Sequence, residues 1–160
     1  MESFRLDHTR VRAPYVRLAK RVPVPGGGHE VLAYDLRLRT PNTELLSPKV
    51  IHSLEHLLAV SLRSVTQGVE GVKVLDVSPM GCRTGFYLTF LSEAGHLSLE
   101  RVVGLVEEAL DEALGYESVP GASMESCGGY EEHDLPGARD VIQGLRFESL
   151  VALRDPPLLR

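Results

Sequence analysis

Apolar and polar positions alternate along residues 31–38, which follow a glycine-rich turn. The apolar side chains that share one side of this segment are Leu32, Tyr34, Leu36 and Leu38. Because successive side chains of a strand point to opposite faces, the alternation predicts a half-buried strand with Arg37 on its polar side. The turn connects this strand to residues 15–18, so we expect a hairpin.

Residues 69–77 and 85–91 indicate two more strands. The joint between them contains Pro79 and Gly81, which mark a turn. Cys82 follows directly, so we expect it to lie on a loop between the strands.

In the first helix the apolar residues recur about every 3.6 residues instead of alternating as they do in the strands. Ser47 can cap its start, and Pro48 suits the first helical position. The apolar residues near one face of this helix are Val50, Leu54, Leu57, Leu58 and Leu62.

Two further helices are predicted nearer the end of the chain. The second begins after Ser98 and ends at Gly115, and the third runs from Asp134 to about residue 152. Strands and helices alternate irregularly, which favours an α+β fold with a mainly antiparallel sheet packed against helices. A length of 160 residues suits a single domain over residues 1–160.

Charge and hydropathy narrow the function classes. Seventeen Lys and Arg stand against 22 Asp and Glu, and the formal charge of −5 argues against nucleic acid as a partner. No apolar run is long enough for a membrane span, and the first residues lack the apolar core of a signal peptide. We therefore expect a cytoplasmic protein without a membrane partner, in which both cysteines stay reduced.

The first helix carries three candidate functional side chains. His52 and His56 lie about 40° apart on the helix and one turn from each other, so both imidazoles can reach one metal ion. Glu55 lies about 60° round from His52, within reach of a metal-bound water. A solvated surface helix would also hold such residues, but polar groups on so apolar a helix are costly without partners.

His-x-x-Glu-His is the pattern of inverzincin metal sites, and it needs a third ligand. Cys127 is the best candidate, because two histidines and a cysteine with one open position form a known catalytic set. His133, Glu125 and Glu131 are the alternatives. We expect His133 instead to stand just before the last helix, with Asp134 as its cap.

Motifs along nearly the whole chain resemble the LuxS family of S-ribosylhomocysteine lyases. The matching stretches are Glu2-Ser3-Phe4 with Leu6-Asp7-His8, Ala13-Pro14-Tyr15-Val16-Arg17, Asp35-Leu36-Arg37, Thr40-Pro41-Asn42, Ile51-His52-Ser53-Leu54-Glu55-His56-Leu57-Leu58-Ala59, Asp76-Val77-Ser78-Pro79-Met80-Gly81-Cys82, Cys127-Gly128 and His133-Asp134-Leu135. Departures lie near Gly26, in residues 67–71 and after Leu150, away from the candidate chemistry.

The resemblance implies cleavage of S-ribosyl-L-homocysteine to L-homocysteine and 4,5-dihydroxy-2,3-pentanedione, the precursor of a quorum-sensing signal. A C–S bond of this kind breaks readily only when a carbonyl lies β to the sulfur. The sugar carbonyl must therefore migrate along the chain before the thiol is eliminated, and each migration needs proton transfers beside a Lewis acid.

The resemblance also implies the roles of individual residues. It implies that Fe(II), replaceable by zinc or cobalt, is bound by His52, His56 and Cys127. It makes Glu55 and Cys82 the acid–base pair. The positions that match substrate-binding residues of the family are Ser3, His8, Arg37 and Asp76. The family forms homodimers with two sites at the subunit interface, each lined by both chains.

Two other functions compete with this hypothesis. An inverzincin-type metallopeptidase would share the His-x-x-Glu-His helix, but it predicts a distant carboxylate ligand in a longer chain and gives Cys82 and Cys127 no role. A non-catalytic metal-binding module would leave Glu55 and Cys82 dispensable.

Overall fold

The computed structural model describes residues 5–159, which form a five-stranded sheet and three helices. The elements in chain order are β1 (Tyr15–Pro23), β2 (His29–Arg37), α1 (Pro48–Thr66), β3 (Val72–Pro79), β4 (Gly85–Glu93), α2 (Leu99–Ala113), α3 (Leu135–Glu148) and β5 (Val151–Ala152).

The sheet has the strand order β3-β4-β2-β1-β5. Its three pairs among β1 to β4 are antiparallel, and only the short β5 joins β1 in parallel. The prediction of an α+β fold with a mainly antiparallel sheet is therefore confirmed. None of the helices in residues 5–159 has both the length and the apolar character needed to cross a membrane.

The C-terminal part of strand β2 is buried on both faces, which corrects the expectation of a half-buried strand there. The alternating apolar residues enter the core with α1 and α2, as the pattern predicted. On the opposite face, however, Asp35 is 0% exposed and Arg37 is 1% exposed. A second apolar cluster is built by the segment before β1 together with the first residue of β1, and it includes Leu6, Val11 and Tyr15. The charges tolerate this burial because they pair with one another.

Helix boundaries follow their caps. The Ser47 hydroxyl accepts the backbone N–H of Val50, as predicted, and α1 continues to Thr66. Helix α3 ends at Glu148, earlier than the predicted residue 152. Its last turn is broken at Ser149, whose φ is 54°, and the chain then forms β5 beside β1.

Backbone hydrogen bonds join the segment before β1 to the segment after β5. Leu6 and Leu158 form an isolated antiparallel bridge, and the N–H of Asp7 donates to the carbonyl of Pro157 at 2.8 Å. The segment that carries His8 is thus held by the last described residues of the chain.

Candidate active site

Four potential metal ligands converge where α1 meets the loop before α3. These residues, called the metal cluster below, are His52, His56, Cys127 and His133, and their ligand atoms lie within 4.8 Å of one another. The helical spacing predicted that His52 and His56 could reach one ion, and their ring centroids are 4.9 Å apart. Cys127 lies with its Sγ 3.4 Å from Nε2 of His52. The structure thus brings together the three ligands that the sequence suggested.

Backbone carbonyls fix the orientation of both α1 histidines. His52 Nδ1 lies 2.9 Å from the carbonyl oxygen of Glu132, and His56 Nδ1 lies 2.7 Å from that of Pro120. A carbonyl oxygen can only accept, so Nδ1 carries the hydrogen in each ring. The Nε2 lone pairs are therefore left for a metal, which is the usual arrangement behind metal-bound histidines.

His133 is the member of the cluster that sequence reasoning set aside. Asp134 caps α3 as expected, but its neighbour His133 stacks on His52 with ring centroids 4.0 Å apart. Its Nε2 lies 3.9 Å from Sγ of Cys127. Burial, and then the charges of His52 and His56, lower the pKa of His133 and favour its neutral, ligating form.

Two alternatives for the third ligand do not join the cluster. Glu125 and Glu131 are both exposed, and neither belongs to the group that the structure brings together. The signal that could have found His133 is its place before the cap of a helix that packs on α1.

The donor set fits a transition metal. Neutral imidazole nitrogens and a thiolate suit Fe(II), Zn(II) or Co(II), whereas Mg(II) and Ca(II) prefer oxygen ligands. Glu55 lies beside the cluster on α1, half-buried, and its carboxylate has no hydrogen bond or ion pair with any of residues 5–159. This leaves a carboxylate available next to the donors.

A second group of functional side chains surrounds Cys82, which is exposed and lies in the turn between β3 and β4. Its Sγ lies 3.7 Å from Nη1 of Arg37 and 3.1 Å from Oγ1 of Thr84. Thr84 already accepts a hydrogen bond from Arg37 at 2.6 Å, so its own hydroxyl hydrogen is free to point at the sulfur. A guanidinium and a hydroxyl thus both lie close to the sulfur.

Arg37 is held in place by buried charges. Oδ2 of Asp35 lies 2.9 Å from Nη2 of Arg37 and 2.9 Å from Nε of Arg17. Burial, together with the negative charge of Asp35, raises the pKa of Tyr15 to about 12. Two cations thus share one carboxylate, which leaves a net positive charge behind the thiol.

Cys82 opens into a cavity of about 450 Å³, here called the thiol cavity, which is also lined by His8, Arg37, Met80 and Tyr87. Nδ1 of His8 lies 2.9 Å from the carbonyl oxygen of Leu6, which leaves its Nε2 for another partner. The predicted substrate-binding residues His8 and Arg37 thus meet at Cys82.

The other two predicted substrate-binding residues are not brought into this cavity. Asp76 is exposed on β3 at a bulge, where it accepts a hydrogen bond from Ser78. Ser3 lies outside the described residues. Within residues 5–159, no hydrogen bond or ion pair joins the metal cluster to the residues of the thiol cavity.

Comparison with known proteins completes this picture. The family model described as S-ribosylhomocysteinase (LuxS) matches residues 1–151. The chain is 48% identical over 159 residues to an S-ribosylhomocysteine lyase of Thermus thermophilus, with 96% of each chain covered. It is 43% identical to the S-ribosylhomocysteine lyase of Deinococcus radiodurans over 159 residues, covering 96% of this chain and 95% of the relative. The lyase of Deinococcus deserti is 44% identical over 160 residues, covering 96% of this chain and 97% of the relative.

Proposed function

The chain belongs to the LuxS family, and from that premise we propose that it is the carbon–sulfur lyase that splits S-ribosyl-L-homocysteine into L-homocysteine and 4,5-dihydroxy-2,3-pentanedione. The observation that carries this proposal is the metal cluster, with Glu55 on the same turn of α1 as His56. The second product makes the chain a source of the quorum-sensing signal precursor.

The two other functions considered from the sequence are not supported. A metallopeptidase site would leave both cysteines without a task, whereas Cys127 is part of the metal cluster. A binding module would need neither Glu55 nor a thiol facing a cavity. The family match over residues 1–151 favours the lyase over both.

We assign the metal-binding role to His52, His56 and Cys127, with Fe(II) as the native ion. When bound, such an ion supplies Lewis-acid polarisation of the sugar carbonyl and hydroxyl oxygens. The chain's own task at this point is to hold the donors in one orientation. Carbonyls of Glu132 and Pro120 do so for the two α1 histidines.

Glu55 is assigned the movement of protons along the sugar. Carbonyl migration requires a proton to leave the carbon beside a carbonyl and another to reach the adjacent carbon. Glu55 lies one position before His56, and none of residues 5–159 engages its carboxylate. It is therefore able to take a proton from one sugar atom and return it to the next.

Cys82 is assigned the second acid–base role. Arg37 and the hydroxyl of Thr84 lie beside its sulfur, and the thiol faces the thiol cavity, where it can exchange protons with a bound sugar. The sulfur acts as a proton carrier, and it forms no covalent bond to the substrate. When the carbonyl lies β to the thioether sulfur, removal of the proton between them expels homocysteine as the thiol.

Substrate binding is assigned to Ser3, His8, Arg37 and Asp76. His8 and Arg37 both line the thiol cavity and can donate hydrogen bonds to ribose oxygens. The exposed carboxylate of Asp76 suits the amino group of the homocysteine portion.

We also propose that the working unit is a homodimer in which the metal cluster of one chain faces the thiol cavity of its partner. The support is that, within residues 5–159, no hydrogen bond or ion pair connects these two groups. A two-fold dimer would create two equivalent composite sites.

Thiol release tests the proposed activity. Metal-loaded protein, handled without oxygen, is incubated with S-ribosylhomocysteine, and free thiol is titrated with a chromogenic disulfide. We expect homocysteine to accumulate with the wild-type chain and with the control E108Q, which changes an exposed carboxylate outside the site. Glu55→Gln should release almost none. Absence of thiol above the buffer control from the wild-type chain would refute the lyase assignment.

Mixing two inactive variants tests the dimer. If Glu55 and Cys82 act across the interface, unfolding and refolding Glu55→Gln together with Cys82→Ala produces hybrid dimers with one intact site. About one quarter of wild-type activity should return, because half of the dimers are hybrids and half of their sites are intact. No recovery, with hybrids demonstrated by mass, would place both groups of each site in the same chain.

A further inference from the structure

The outer edge of β1 is covered by β5 along only part of its length. Strand β5 pairs with Tyr15 and Val16, and no strand within residues 5–159 pairs with this edge farther along β1. A cavity of about 300 Å³, called the edge cavity below, opens there. None of the residues that line it is acidic, and the charged ones are Arg5, Arg17, Lys20 and Arg21.

We propose that the edge cavity binds a phosphate group, either as the free anion or as part of a small phosphate monoester. Four cations without a carboxylate in the same lining favour an anion by Coulomb attraction. The site is separate from the proposed reaction, because S-ribosyl-L-homocysteine and its two products carry no phosphate. It also shares no lining residue with the thiol cavity.

Arg17 is the buried component of this site. It is 3% exposed, and its Nε donates to Oδ2 of Asp35 at 2.9 Å. Neither of its terminal nitrogens donates a hydrogen bond to any of residues 5–159, and Nη2 is buried as well. A buried donor without an acceptor is costly, and the two terminal nitrogens form a fork that matches two oxygens of a phosphate. An anion in the edge cavity supplies the acceptor that this guanidinium lacks.

The positive charge of Arg17 is only partly compensated. Oδ2 of Asp35 lies 2.9 Å from Nε of Arg17 and 2.9 Å from Nη2 of Arg37, so two cations share one carboxylate. A buried charge that lacks a full counterion is unfavourable. An anion bound on the Arg17 side balances the group of three charges.

A β-bulge places Lys20 on the same face of the sheet as Arg17. The register of β1 against β2 shifts between Leu18 and Lys20, so that Arg17 stands opposite Asp35 and Lys20 opposite Ala33. Residues two apart on a strand share a face, and the partners of Arg17 and Lys20 are two apart on β2. Without the bulge, residues 17 and 20 would point to opposite faces.

Arg5 and Lys20 complete the lining without counterions of their own. Both are exposed, and neither forms an ion pair within residues 5–159. Arg21 differs, because its Nε lies 3.4 Å from a carboxylate oxygen of Glu30. The backbone of Arg5 is held in position, since its carbonyl accepts the N–H of Leu159 at 2.6 Å. Arg5, Arg17 and Lys20 therefore remain available to one ligand.

Three available cations favour phosphate over a carboxylate. A carboxylate offers two oxygens and a single negative charge, whereas a phosphate group offers at least three oxygens and up to two charges. Arginine binds such oxygens through its planar fork, and lysine contributes a compact charge. The combination of a buried fork with two exposed cations is suited to a phosphate group that enters from solvent.

Calorimetric titration of the metal-loaded protein with inorganic phosphate, in a buffer without other oxyanions, tests the site. We expect saturable binding with a Kd at or below about 1 mM. Absence of saturable binding by the wild-type chain at phosphate concentrations up to about 10 mM would overturn the proposal.

Variants locate the bound phosphate. Arg5→Gln combined with Lys20→Gln changes only exposed side chains, and it should weaken binding at least about tenfold. The control Lys73→Gln, at an exposed position on β3, should bind phosphate as the wild-type chain does. Arg17→Lys keeps the charge and removes the fork, so it should also bind about tenfold more weakly. Equal affinity of the double variant and the wild-type chain would place the phosphate elsewhere, such as on the metal, and overturn the proposal.

Two further titrations define the chemical class of the ligand. Acetate should bind at least about tenfold more weakly than phosphate, and equal binding of the two would refute selection of a phosphate group. Glycerol 3-phosphate distinguishes the two sources. Tighter binding of this monoester than of inorganic phosphate supports an esterified ligand, whereas weaker binding supports the free anion. All of these measurements are made without S-ribosylhomocysteine, so they stand whether or not the chain releases thiol.

Discussion

The metal cluster and the charged residues around the thiol cavity differ in how completely their polar groups are paired. In the metal cluster both α1 histidines donate through Nδ1 to backbone carbonyls, so these donors are oriented within one chain. In the thiol cavity the charges are paired incompletely. Among residues 5–159, Nε of Arg37, Nη2 of Arg17 and Oδ1 of Asp35 are buried without a hydrogen-bond partner.

This difference indicates which kind of ligand suits each region. Neutral, pre-oriented donors suit a soft cation and need nothing more from the protein. A buried net positive charge beside an open cavity suits a polar or anionic ligand. The two regions should therefore respond independently to changes made in either one.

The largest effect should come from Cys82→Ala, which removes the proposed proton carrier and leaves the metal cluster intact. We expect turnover to fall by about 10²- to 10⁴-fold, the usual contribution of acid–base catalysis. Metal content, measured by atomic absorption, should equal that of the wild-type chain. Loss of metal from this variant would show that the two regions are coupled.

Asp35→Asn should cause the next largest effect, because it leaves two buried cations without their carboxylate. Breaking such a buried pair costs about 3–5 kcal/mol of the free energy of unfolding. Urea denaturation measures this loss, and Asp140→Asn at an exposed position is the matched control. A loss below about 1 kcal/mol, the range of exposed pairs, would contradict the burial of this charge cluster.

Removal of the metal by a chelator should change the reactivity of Cys127 and leave that of Cys82 unchanged. With the ion removed, alkylation of Cys127 by iodoacetamide should accelerate at least about tenfold, because a bound thiolate is shielded from attack. The rate at Cys82 should stay the same. Peptide mass mapping separates the two, and equal acceleration at both cysteines would show that the thiol cavity depends on the metal.

The smallest effect concerns Tyr15, whose pKa is raised from 10.0 to about 12 by burial and by Asp35. A tyrosine that is harder to ionise in the folded chain stabilises it fully below pH 10, and this stability is lost as pH rises towards 12. The free energy of unfolding of Tyr15→Phe should therefore fall less steeply over this window than that of the wild-type chain. If the free energy of unfolding falls equally steeply with pH in both proteins, the raised pKa of Tyr15 is contradicted.

Local patterns explain what the sequence could predict. The spacing of His52, Glu55 and His56 fixes their relation within one helix, so no tertiary information was needed. The caps at Ser47 and Asp134 act over three residues and were read correctly.

The features that were missed, or that were ranked below another alternative, depend on distant contacts. His133 joins the cluster only because the start of α3 packs against α1, through Ser53. The polar side of β2 is buried because β1 places Arg17 opposite Asp35 in the sheet register. Neither contact produces a periodic pattern in the sequence, because its two residues are far apart along the chain.

The bridge between Leu6 and Leu158 has an evolutionary consequence. The family model ends at residue 151, so the segment that supports the neighbourhood of His8 lies beyond the matched residues. Deletion of this tail should therefore disturb the segment that carries His8, a proposed substrate-binding residue, because two backbone hydrogen bonds join the two segments. We expect the tail and the segment before β1 to coevolve, so that exchanging either one alone between relatives would misplace His8.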